Sequence, residues 1–178
     1  MSILKVARMG HPVLRARARN LSLTDIKSPL VQKLIDDMME TMIEYHGVGL
    51  AAPQVHEDVR LFVASLGGSD DGESSPVALI NPEITPVGTD VVEDWEGCLS
   101  IPDIRGRVPR AREIRVRALD RTGERIELRA VNFSARVIQH ETDHLDGVLF
   151  FDRMKKFETL TFLDEYSRYW VKDDDEED

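Results

Sequence analysis

The chain has little of what would tie it to a secretory route or to a membrane. It contains one cysteine, so no internal disulfide can form. No stretch approaches the roughly eighteen consecutive apolar residues of a membrane span, and Met1 to Gly10 lacks the apolar core of a secretory signal. Basic charge is also in deficit, with 23 Lys and Arg against 33 Asp and Glu, a formal charge of −10 at pH 7. Such a balance argues against direct nucleic-acid binding. These absences predict a cytoplasmic protein with no membrane contact. About half of the net charge is local, since Lys172 to Asp178 contributes −5. The reading is one domain over residues 1–170, followed by an acidic disordered tail at 171–178.

What is present suits a single globular unit, with 42% hydrophobic and 31% charged residues in 178. Ser28-Pro29 reads as an N-cap and first helical residue. Leu30, Leu34, Met38 and Met42, with Val31, Ile35 and Ile43, then supply a helical apolar stripe. That helix should end near His46, with Gly47 as its left-handed stop. Strands are predicted at Val59 to Leu66, Val77 to Ile80, Ile84 to Val92, Glu113 to Asp120 and Arg125 to Val131, with Arg121 to Glu124 as the turn between the last two. Gly67 to Pro76 reads as a polar surface loop. Arginines 105, 107, 110, 112, 115 and 117 nearly alternate with apolar positions, as on a solvated strand face or a docking patch for an acidic partner. Asn132 or Ser134 should cap a further helix ended by Gly147, and a last helix should run from about Lys156 to Trp170. The fold class is α+β: antiparallel sheets packed around a central metal-binding helix, with an N-terminal and a C-terminal helix.

Chemistry concentrates in three segments. His140-Glu141-Thr142-Asp143-His144 places two imidazoles four residues apart on one helical face, where they can grip one metal ion beside the Glu141 carboxylate. A catalytic site of this type takes three protein ligands. Phe150 stands where a third histidine would complete the metzincin pattern, which leaves Glu165 and Cys98 as candidates. Cys98 lies in Glu96-Gly97-Cys98-Leu99-Ser100, and a thiolate is a strong ligand for a borderline-soft divalent ion. Gly47-Val48-Gly49-Leu50-Ala51-Ala52-Pro53-Gln54 could pass for a dinucleotide-binding loop. It follows a helix rather than a strand, however, and Pro53 has no amide hydrogen to offer a phosphate.

Taken together, Gly47 to Gln54, Glu96 to Ser100 and Gln139 to Gly147 resemble the three motifs of peptide deformylase, in family order and at family-like separations. The opening Arg8-Met9-Gly10-His11-Pro12-Val13-Leu14 is similar too, so the likeness extends through Phe151. The resemblance implies a hydrolase that removes the N-formyl group from the initiator methionine of new polypeptides and releases formate. It makes Cys98, His140 and His144 the metal ligands and Glu141 the general base. It further implies that the Gln54 side chain and the Leu99 backbone N–H stabilise the oxyanion. Val48, Gly49 and Gly97 would hold an extended peptide, and Val48, Leu99 and Val137 would wall a methionine pocket. The metal implied is ferrous iron, with zinc, nickel and cobalt admitted by the same ligands. The implied partners are N-formylmethionyl nascent chains, with transient ribosome contact.

Four neighbours have further readings from the sequence. Arg105 is a candidate partner for Glu96, Arg136 a charge that could share the pocket face or snorkel to its rim, and Asp143 and Asp146 are candidates to orient the ligand histidines.

Overall fold

Ser28 does cap the long N-terminal helix. Its hydroxyl accepts the Val31 amide at 3.3 Å, and the helix, α2 (Pro29–Glu44), follows a single-turn α1 (Leu23–Ile26). This structure, a computed structural model, describes residues 2–67 and 76–171. The expected acidic tail beyond Val171 and most of the expected Gly67 to Pro76 loop lie outside the described residues. α2 turns its stripe of Val31, Ile35, Met38 and Met42 into a core shared with Leu50, Leu61 and Ile80.

The helix stop differs from expectation by one residue. His46, at φ 53°, takes the left-handed conformation that Gly47 was expected to supply. The Gly47 amide then donates back to the Met42 carbonyl at 2.8 Å, and the His46 amide to Ile43 at 3.0 Å. These paired bonds satisfy the terminal carbonyls of α2. Gly47 serves closeness instead, because a Cβ there would stand 3.0 Å from Leu99 Cδ1.

The strands form two antiparallel sheets. The larger has the order β1-β2-β3-β6-β7, from β1 (Gly49–Ala51), β2 (Leu61–Ala64), β3 (Val77–Pro86), β6 (Glu113–Leu119) and β7 (Arg125–Val131). The smaller has the order β4-β5-β8, from β4 (Val91–Cys98), β5 (Ile101–Ala111) and β8 (Thr161–Phe162). Two expected strands, Val77 to Ile80 and Ile84 to Val92, are in fact one strand, β3, and the start of another, β4. The cause is a bulge between Ile80 and Glu83, where Asn81 adopts φ 50° and its side chain bonds both the amide and the carbonyl of Leu21. β5 contains Pro102 and Pro109, residues that argue against a central strand. It is tolerated because β8 pairs only with Ile104 and Arg105, leaving the proline positions without a second neighbour.

α3 (Asn132–Leu145) lies between the sheets, packing on β1 and β2 of one and β5 of the other. Every residue from Ala135 to Leu145 is buried. Neither expected cap acts at its start: Val131 holds the N-cap position, and Asn132 takes φ 52°. Its end is as expected, with Gly147 at φ 73° and the Val148 amide donating to Asp143 at 2.9 Å. Only backbone without a side chain fits there, since a Cβ on Gly147 would meet the Arg15 carbonyl oxygen at 2.6 Å. The last helix is shorter than expected. α4 spans Leu163–Tyr169 only, because Thr161 and Phe162 are drawn into β8.

Candidate active site

The β4–β5 hairpin, the turn after β1 and the middle of α3 converge on one point. Cys98 ends β4, and its Sγ lies 3.3 Å from His144 Nε2. His144 Nε2 in turn lies 3.2 Å from His140 Nε2, and the three donor atoms all fall within 4.8 Å of one another. Glu165, the alternative ligand, sits on α4 paired with Arg168 and takes no part in this cluster. Donors at about 2.1 Å (nitrogen) and 2.3 Å (sulfur) from a tetrahedral ion stand about 3.4–3.6 Å apart. The observed spacings are close to these, so the residues fit a single divalent ion.

A second layer fixes the histidines. Glu96 Oε2 is 2.9 Å from His140 Nδ1, which turns the Nε2 lone pair of that ring toward Cys98 and His144. Arg110 grips the same carboxylate through Nε at 2.8 Å and Nη2 at 3.0 Å, and its Nη1 reaches Asp143 on α3 at 2.6 Å. Arg136 adds a third cationic contact, Nη1 to Glu96 Oε1 at 2.8 Å, while bonding the carbonyls of Val108 and Val92. Arg136 is therefore buried and paired while also bordering the cavity. Arg105 is not the partner of Glu96 either; its guanidinium covers Gly97 and donates to the Ile104 carbonyl at 3.1 Å. Among the described residues, neither the Asp143 nor the Asp146 carboxylate bonds a histidine. Asp143 joins Arg110 to Arg153, and Asp146 pairs with Arg60 and Arg17 on the surface. No strand was expected over residues 93–98; had it been, the spacing of two between Glu96 and Cys98 would have put both on one face of β4.

The electrostatics separate the four central groups. Burial works against the ionised Glu96, yet hydrogen bonds from His140 and Arg110 hold its carboxyl down at about 2. Burial likewise opposes a charge on His140, but its contacts with Cys98 and Glu96 raise it well above the ordinary imidazole value. Burial, with the neighbouring His140 and Arg110 charges, pushes His144 well below that value. Glu141 is driven up to about 7, chiefly by burial. One of its oxygens, Oε2, has no hydrogen-bond partner among the described residues. Gly49 makes room for this carboxylate, because a Cβ at residue 49 would stand 2.3 Å from Glu141 Oε1.

Gln54 approaches from the short turn after β1. Its Oε1 accepts the Ala51 amide at 2.8 Å, which aims Nε2 at Cys98 Sγ (3.4 Å) and Ser100 Oγ (3.2 Å). Above these groups opens a cavity of about 740 Å³, whose walls include Val48, Gly49, Gly97, Leu99 and Val137. Cys98, His140, Glu141, Gln54 and the peptide-contact residues Val48, Gly49, Gly97, Leu99 and Val137 therefore border one space, whereas His144 and the alternative ligand Glu165 are not among its walls.

The family model for polypeptide deformylase matches residues 3–159. Peptide deformylase 2 of Nostoc sp. is 40% identical over 174 residues, covering 96% of each chain. Peptide deformylase of Halothermothrix orenii is 44% identical over 155 residues, covering 86% of this chain and 95% of its own. Among solved structures, peptide deformylase from Thermotoga maritima superposes with TM-score 0.80 at 40% identity, over 88% of this chain and all of that one. A Met-Ala-Ser-bound class I type b peptide deformylase from Acinetobacter baumannii gives TM-score 0.81 at 39% identity, over 86% of this chain and all of that one. With the family model matched over most of its length, this chain belongs to the peptide deformylases, metal-dependent hydrolases that remove the N-formyl group from nascent chains.

Proposed function

We propose that Cys98, His140 and His144 hold the catalytic metal ion and that Glu141 moves the proton during release of formate from N-formylmethionyl peptides. The observation that carries this reading is the convergence of three buried donors within 4.8 Å, beside a buried carboxylate with one unpartnered oxygen. A divalent ion held there would supply Lewis-acid polarisation of the formyl carbonyl and would acidify water. The metal is ferrous iron, with zinc, nickel and cobalt able to occupy the same donors.

Glu141 suits a base that must both take and return a proton, because its carboxylate is buried beside the three donors with one oxygen unpartnered among the described residues. Gln54 Nε2 is fixed by the Ala51 amide before any substrate arrives. It would donate, with the Leu99 N–H, to the oxygen of the formyl group as negative charge develops there. Val48 and Gly49 on one side, and Gly97 on the other, offer strand backbone to an extended peptide. Val137, one helical turn before His140 and Glu141, would meet the methionine side chain. The binding of Met-Ala-Ser by the similar Acinetobacter baumannii protein supports an extended peptide in this cavity. The polypeptide partner is the nascent chain, met in the cytoplasm, with ribosome contact transient.

The decisive measurement is formate release from formyl-Met-Ala-Ser by metal-loaded wild type and by Glu141→Ala. Activity is expected in the first and near-complete loss in the second, on the order of 10³-fold or more, with metal content equal in both. Cys98→Ala should lose metal and Glu165→Ala should keep it. The reverse pattern would overturn the ligand assignment.

A further inference from the structure

We propose that the outer cavity selects formylated chains carrying carboxylate side chains just after the methionine, a specificity that rests on the deformylase reading above. The observation is a set of unpaired cations at odds with the charge of the chain. The protein carries −10 overall, yet Lys5, Arg8 and Arg105 all border the cavity and none makes an ion pair among the described residues. The opposite charges around the same space are mostly spoken for. Glu96 is held by Arg110 and Arg136, and Glu141 lies at the inner end, leaving Asp103 as the unpaired acidic group among the lining residues.

Position decides which part of a substrate these cations meet. The formyl end must reach the buried Cys98, His140 and Glu141, whereas Lys5 and Arg8 are exposed. The segment carrying them is fixed: the Ala7 amide donates to the Gln54 carbonyl at 2.7 Å and the Met9 amide to the Ser100 carbonyl at 2.8 Å. Their charges are thus held beside the two loops that build the site. Arg105 lies directly over Gly97, so closely that a Cβ on the glycine would fall 2.0 Å from Nη1. Its guanidinium has a backbone carbonyl for one donor and a cavity for the rest. A carboxylate on the residues after methionine would supply the bidentate partner that such a fork accepts best. Low-dielectric walls concentrate the field of these cations within the cleft, where it would oppose the repulsion of the acidic body.

The test compares three peptides with amidated C-termini on the full metal-loaded chain: formyl-Met-Glu-Glu-Ala, formyl-Met-Ala-Ala-Ala and formyl-Met-Lys-Lys-Ala. Affinity and formate release are both measured. The acidic peptide is expected to bind and turn over best, roughly 5- to 20-fold ahead of the lysine peptide at low ionic strength. The gap should narrow as salt is added. In Lys5→Gln/Arg8→Gln, and more so with Arg105→Ala added, the ratio should fall toward one, while Arg105→Lys keeps part of it. The double variant alters exposed side chains only, so it reports even if the triple variant fails to fold. Equal affinities in wild type, a preference for lysine, or a preference that survives all three substitutions would overturn the charge selection. Binding in the expected order with no formate released from any peptide would instead overturn the deformylase reading.

Discussion

Glu96 shows how much one side chain can carry in this site. It accepts from His140, Arg110 and Arg136 while 6% exposed, so its removal takes the carboxylate partner from the buried Arg136, leaves Arg110 with Asp143 alone and frees His140 Nδ1. Glu96→Ala is expected to destabilise the fold by about 3–5 kcal/mol and to weaken metal binding roughly 10- to 100-fold. Denaturant titration and metal titration read the two effects separately; a variant that loses neither would show that the carboxylate only fills space. Gly49 makes the opposite demand, for the absence of a side chain. Gly49→Ala places a Cβ against Glu141, and a carboxylate displaced by about 1 Å is expected to lose on the order of 10²-fold in kcat. The melting temperature should fall far less in proportion. Unchanged kcat in Gly49→Ala would mean that Glu141 can move aside without consequence.

At the level of elements, the two long helices share one device for ending and differ in what surrounds it. α2 stops at a left-handed histidine, exposed and able to bear the strain, while α3 stops at Gly147, where the Arg15 carbonyl leaves no space for a Cβ. Gly147→Ala is therefore expected to cost about 1–3 kcal/mol. Equilibrium unfolding would show it, and a neutral result would mean that the Arg15 segment yields easily. α4 is held quite differently from α3. None of its residues is buried, and it is fastened by Trp95, whose ring lies 4.8 Å from Tyr166 and 5.3 Å from Trp170. Hydrogen exchange in Leu163–Tyr169 should be orders of magnitude faster than in Val137–His144. Trp95→Ala should accelerate it further while α3 stays protected.

Across the whole molecule, an ion pair ties Arg15 in the N-terminal segment to Asp152, just beyond the motif helix, and its pH dependence has a definite sign. Asp152 feels a burial penalty, but hydrogen bonds from Arg15 and the Leu149 amide outweigh it and lower its carboxyl below the usual 3.8. A group with a lowered folded-state value stabilises fully above its unfolded value, and that contribution disappears as pH falls through the folded one. Asp152→Asn should thus be less stable than wild type at neutral pH, by under about 1 kcal/mol because the pair is part exposed. The difference should shrink as pH falls below 3.8 and through the lowered folded-state value; melting curves across the acid range would show it, and a difference that grows in acid would contradict the assignment.

What the sequence determined by itself was the chemistry. His140, Glu141 and His144 share a helical face by the geometry of any α-helix, and the Ser28-Pro29 start, the Gly147 stop and the Arg121 to Glu124 turn follow from local backbone preferences. Those features need no distant partner to be legible. The likeness carried by three motifs then extended the site to Cys98 and Gln54, which the fold places beside the histidines. Only the tertiary structure decided the pairings between remote segments. Arg110 and Arg136 rather than Arg105 hold Glu96, β5 runs on through its prolines, and Asn81 fuses two apparent strands across a bulge. Each depends on which groups are brought out of water together. A buried charge must be answered by whatever cation the fold delivers to it, and neither side chain records that partner in its own neighbourhood of the chain.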